Sequence, residues 1–123
     1  MENIQTTEPV QKTIALDFDG TLHDVAARKP PHRLGAPFPG ADVALSYFRS
    51  IGLRIAIFCV WADSNANVET IAKWMDYFKL PYDVITNVKM DAVLYVDDRA
   101  CTFAPPAFGW NEIVTSFQEG LLP

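Results

Sequence analysis

Two carboxylates two positions apart, with a glycine directly behind them, are the first chemistry legible in this chain: Asp17-Phe18-Asp19-Gly20-Thr21-Leu22. Residues i and i+2 at the end of an extended strand point to the same side, so Asp17 and Asp19 are placed to share one site. Two anions that close require a cation between them or a shared proton. Gly20 permits a sharp backbone turn that a side chain would obstruct. Taken alone, an Asp-x-Asp string also describes a solvated turn closing a strand. Two later features agree with a chemical role: Lys89, and the acidic run Val96-Asp97-Asp98-Arg99-Ala100.

These residues need elements to hold them. Lys12 to Phe18 reads as a first buried strand, short and apolar until it breaks into charge. Leu53–Val60, Tyr82–Thr86 and Ala92–Val96 read as further strands, and Thr102-Phe103 as a short edge strand. Between them, Ala44, Leu45, Phe48 and Ile51 follow helical spacing, with Gly52 set to end that helix. Val68, Ile71, Met75 and Phe78 mark a second helix, capped near Asp63-Ser64-Asn65 and stopped by Pro81. Trp74 and Tyr77 lie beside its apolar face as packing residues. A last helix covers about Asn111 to Glu119, closed by Gly120. Strands apolar throughout and alternating with helices indicate an α/β fold: a three-layer, Rossmann-like parallel sheet with helices on both faces. Such sheets bind ligands at the carboxyl ends of their strands. Asp17, Cys59, Lys89 and the Asp97-Asp98 pair all fall at or just beyond those ends.

The chain of 123 residues, half of them hydrophobic, suits one domain over residues 12–123 after a flexible polar tail over 1–11. The connection over residues 22–39 contains Pro30, Pro31, Pro37 and Pro39, which forbid a continuous helix. It reads as a flap, and it holds the basic cluster Arg28, Lys29, His32 and Arg33. That cluster serves either as solvated loop or as a contact for an anionic substrate. A net charge of −5 and a pI of 4.8 exclude a general nucleic-acid coat but not a local basic patch. Cys59 and Cys101 make no disulfide framework and read as small buried apolar groups. With no C-x-x-C and the two histidines distant from both, zinc is not expected. No apolar run approaches a membrane span, and no signal-peptide core is present. A reducing, cytoplasmic setting is the expectation, and oligomeric state is not legible.

The string Asp17-Phe18-Asp19-Gly20-Thr21-Leu22 resembles the first motif of the haloacid dehalogenase (HAD) superfamily of phosphohydrolases. Lys89 falls where that superfamily places its third-motif lysine, and Val96-Asp97-Asp98-Arg99-Ala100 is similar to its acidic fourth motif. The order and spacing fit across about residues 12–115. The resemblance implies that Asp17 is the nucleophile, forming an aspartyl-phosphate, and that Asp19 is the general acid and then the base. It implies Mg2+ on the Asp17 carboxylate, the Asp19 backbone carbonyl and an acidic-motif residue, Asp98 first and Asp97 next. Lys89 would offset negative charge and hold the phosphoryl group, alongside Gly20, Thr21, Cys59 and Arg99; for Arg99 a structural role beside the acidic pair fits equally. Relatives this short lack a large cap domain. Their open sites take phosphomonoesters ranging from polynucleotide ends and phosphoproteins to small phosphates.

One departure stands out. The second motif of the family presents Ser or Thr at the end of strand two, where this chain has Cys59 in Phe58-Cys59-Val60-Trp61, and relatives often carry arginine where Trp61 stands. A thiol is a weak donor. Two alternatives follow: a catalytically weak HAD-like module that binds Mg2+ and a phosphorylated partner, or a thiolate nucleophile at Cys59. The second is opposed by the neighbouring carboxylates. A receiver-type signalling domain is a third alternative, but receivers put the acidic pair on the first strand and the phosphorylated Asp on a later one, the reverse of the order here.

Overall fold

A computed structural model of the chain describes residues 11–25, 34–97, 101–102, 105 and 109–120, with the side chains of Asp97, Cys101 and Thr102 excepted. The elements run β1 (Thr13–Asp17), α1 (Ala41–Ser50), β2 (Arg54–Phe58), α2 (Asn65–Tyr77), β3 (Val84–Thr86), β4 (Leu94–Asp97), β5 (Cys101–Thr102) and α3 (Trp110–Gln118). The sheet order is β3-β2-β1-β4-β5 and all four pairings are parallel. The chain therefore has a small, Rossmann-like α/β fold with no large cap among the described residues.

Local signals set the helix ends. Gly52, at φ +88°, takes the left-handed conformation after α1, and its N–H returns to the Arg49 carbonyl. Ser64 caps α2, its hydroxyl accepting from the Asn67 N–H at 3.2 Å. That helix stops at Tyr77, ahead of Pro81, because Lys79 turns left-handed at φ 58° and Leu80 N–H bonds back to the Met75 carbonyl. Trp74 packs as expected. Tyr77 does not: it stays exposed, its ring edge-on to that of Phe78. The edge strand sits at Cys101–Thr102, and Phe103 lies outside the described residues.

The two faces of the sheet differ. Register places Ile14 beside Ile55 and Leu94, and Leu16 beside Ile57 and Val96. Neighbours in register share a face, and this one forms a single buried cluster with Ala44, Leu45 and Phe48 of α1, Ile71, Trp74 and Met75 of α2, and Trp110 and Ile113 of α3. The handedness of parallel crossovers explains the arrangement. The steps from β1 to β2 and from β2 to β3 run in one direction, so right-handed connections put α1 and α2 on the same side. All three described helices thus serve one face.

The opposite face carries Thr13, Ala15, Ala56, Phe58, Val84 and Tyr95. Ala15 and Ala56 are buried yet lie outside the main cluster. On this side the connection over residues 87–93 returns from the β3 edge to β4. The lateral separation of β3 and β4 is about 14 Å at three strand spacings. A helix rising 1.5 Å per residue would be too short to cover that distance over this stretch, so the chain crosses extended, as a strap. Tyr95 fixes it: the Met90 N–H donates to the Tyr95 hydroxyl at 2.8 Å, and that hydroxyl donates to the Met90 carbonyl. Among the described residues, the stretch between β3 and β4 holds no helix and is fixed to this face through Tyr95.

Candidate active site

The carboxyl ends of β1 and β2 build the site. Asp17 is the last residue of β1, in register with Phe58, and the Phe18 N–H extends the ladder to the Phe58 carbonyl at 3.0 Å. The chain then closes a tight loop. The N–H groups of Leu22 and His23 donate to the Phe18 carbonyl, and the Gly20 N–H donates to the His23 carbonyl. Gly20 sits at φ +83°, a conformation that a Cβ disfavours. The base of the flap is zipped: Phe38 N–H bonds the Leu22 carbonyl at 2.9 Å and Asp24 N–H the Ala36 carbonyl at 3.1 Å.

Asp19 rides on this loop with a donor on each carboxylate oxygen. His23 Nδ1 lies 2.9 Å from Oδ1, and Trp61 Nε1 donates to Oδ2 at 2.7 Å. The histidine is fully buried, stacked on Phe18 with centroids 5.2 Å apart. Its Nε2 accepts from the Gly35 N–H at 2.8 Å, so the ring proton belongs on Nδ1 and is donated to Asp19. Gly35 is held from its other side too, its carbonyl accepting from Trp74 Nε1 at 2.7 Å.

Cys59 follows β2, almost fully buried, its N–H on the Thr86 carbonyl at 2.9 Å. Burial pushes its thiol up to about 12, against the pull of the Trp61 and Ala62 N–H groups, and the charges of Asp19 and Asp17 push the same way as burial. That thiol is protonated at neutral pH, which removes it as a thiolate nucleophile. The same interactions show that Asp17, Asp19 and Cys59 occupy one electrostatic neighbourhood.

Lys89 is exposed on the strap, with Nζ over the Tyr95 ring at 5.6 Å from its centroid. Thr21 is fully buried; its carbonyl accepts from Trp110 Nε1, and its hydroxyl has no hydrogen-bond partner among the described residues. The Asp97 backbone closes β4 beside β1, while its side chain, Asp98 and Arg99 lie outside the described residues, as does the basic cluster Arg28, Lys29, His32 and Arg33. Among the described residues, no group of three or more His, Cys, Asp and Glu is gathered for a metal ion, and no helix is long and apolar enough to cross a membrane. Two participants escaped sequence reasoning: His23, weighed only as a zinc ligand, and Trp61, noted only as a departure. The one sequence signal was a histidine four residues beyond Asp19 in a glycine-tightened loop.

No protein-family model matches the chain, and no curated protein matches it. Two solved structures are similar to it. A conserved protein from Bacteroides thetaiotaomicron aligns with 90% of this chain and 93% of its own, at 24% identity and a TM-score of 0.67. A target protein from Vibrio cholerae aligns with 89% of this chain and 99% of its own, at 24% identity and a TM-score of 0.53. The likeness is one of fold.

Proposed function

We propose that this protein is a magnesium-dependent phosphohydrolase of the HAD type, acting through an aspartyl-phosphate on Asp17. The observation that carries the reading is the convergence of Asp17 and Asp19 on Cys59 at the adjoining ends of β1 and β2. An Asp17 oxygen attacks phosphorus and the ester P–O bond breaks. The leaving oxygen takes a proton from Asp19. Water then attacks phosphorus, gives its proton to Asp19, and frees inorganic phosphate and the Asp17 carboxylate.

The donor set fits a hard divalent cation: the Asp17 carboxylate, the Asp19 backbone carbonyl, and Asp98 or Asp97. The Asp19 carboxylate oxygens accept from His23 and Trp61. When bound, Mg2+ would supply charge screening between two anions. Lys89 adds positive charge on the strap. The substrate class is a phosphomonoester, either a small phosphate or a nucleic-acid end met by the basic flap, in a cytoplasmic setting.

A second reading is favoured by Cys59 itself. A protonated thiol where the family has a hydroxyl donates weakly, and losing one such contact costs on the order of a hundredfold in rate. The chain would then be a weak catalyst that binds Mg2+ and a phosphorylated partner. The test is phosphate release from an aryl phosphate, with and without Mg2+, by the wild type, Asp17→Asn and Cys59→Thr. The expected result is Mg2+-dependent turnover that is lost in Asp17→Asn and raised in Cys59→Thr. Turnover by Cys59→Thr alone would transfer the conclusion to the binding module. Unchanged turnover in Asp17→Asn would remove the phosphatase reading.

A further inference from the structure

The two donors on Asp19 come from separate parts of the chain. Trp61 approaches from the loop after β2, and His23 from the root of the flap. Each is itself braced. The Trp61 ring stands edge-on to Phe18 at 5.9 Å, and the half-buried indole keeps its N–H on Oδ2. The His23 ring lies flat on Phe18, with Trp74 against its edge at 5.8 Å, and its far nitrogen is occupied by the Gly35 N–H. A continuous chain of hydrogen bonds therefore runs from Trp74 through Gly35 and His23 to Asp19, and meets Trp61 on the other oxygen.

We infer that Trp61 and His23 are positioning residues that fix the carboxylate plane of Asp19 for proton transfer, with Trp61 taking over a place where relatives often carry arginine. The inference rests on the phosphohydrolase reading for its catalytic meaning, but the hold on Asp19 is a property of the fold. A carboxylate on a short side chain can rotate about two torsions; one donor per oxygen removes that freedom. Misplacing a catalytic group by about 1 Å costs on the order of a hundredfold in rate, so the effect belongs in kcat and leaves substrate binding largely alone. The flap root enters the same network through Gly35, which couples the flap's seating to the orientation of Asp19.

Trp61→Phe is the discriminating variant, because it keeps a ring against Phe18 and deletes only the donor. It should lower kcat roughly tenfold to a hundredfold with KM nearly unchanged, and Trp61→Arg, which restores an N–H donor, should recover part of the loss. A second readout needs no turnover: the Trp61 indole N–H resonance of the wild type should shift upfield in Asp19→Ala as its acceptor disappears. Wild-type kcat in Trp61→Phe, alongside an inactive Asp17→Asn, would overturn the positioning role and leave the phosphohydrolase reading standing. If the wild type shows no turnover, the phosphohydrolase reading falls and the resonance decides the hold on Asp19: an upfield shift supports it, and an unmoved resonance overturns it.

Discussion

The two faces of this sheet are built to different ends. On one, Ile14, Leu16, Ile55 and Ile57 disappear beneath three helices and are fully buried. On the other, alanines line the centre and an extended strap runs from β3 to β4, held to Tyr95 through Met90 and carrying Lys89. Asp17 shares the parity of Thr13 and Ala15, so its carboxylate belongs to the strap side. Burial of branched side chains supplies stability at roughly 25 cal/mol per Å² of apolar area. An extended strap supplies little of that, and its Lys89 rests over the Tyr95 ring. Apolar burial is thus divided unequally between opposite surfaces of the same five strands.

Mutations should report that division. Ile57→Ala removes a fully buried side chain from the helical face and is expected to cost about 2–5 kcal/mol of stability, read by urea unfolding, while kcat of the folded fraction stays put. Tyr95→Phe deletes the hydroxyl that holds Met90 while keeping the ring under Lys89, and is expected to cost about 1 kcal/mol, with a disproportionate fall in turnover as the strap loosens. Equal losses of stability in the two variants would erase the distinction between the faces. The effect at Cys59 shows only at alkaline pH. Its thiol titrates near 9 when unfolded and is raised to about 12 in the fold. The folded state therefore holds that proton more tightly, and this contribution is complete below pH 9 and disappears as pH rises towards 12. Unfolding followed from pH 8.5 to about 11.5 should show wild-type stability falling more steeply than that of Cys59→Ala.

The helical face was legible because its signals are periodic. Apolar runs marked β1, β2 and β4, and the spacing of Ala44, Leu45 and Phe48 marked α1. Asp17 and Asp19 were legible because a glycine and a strand fixed their relation within a few residues. The strap was not, since Asn87-Val88-Lys89-Met90-Asp91-Ala92-Val93 has no period and its course follows from strand order, which is a property of the whole chain. The hold on Asp19 was hidden for the same reason: Trp61 stands 42 residues away, and Gly35 reaches His23 across the flap. Tyr77 misled because a position adjoining an apolar stripe lies at the helix border, where a small rotation turns it to solvent.

The crossing of the strap also orders assembly in time. Strand β1 pairs with β2 at a sequence separation of about forty residues and with β4 at about eighty. Loop-closure entropy makes the longer closure the costlier one, and everything up to β3 can condense before it. The final strand to dock beside β1 is the one that ends in Asp97. A nascent chain thus presents Asp17 and Asp19 early, on a half-built sheet, before the strand that ends in Asp97 can join it.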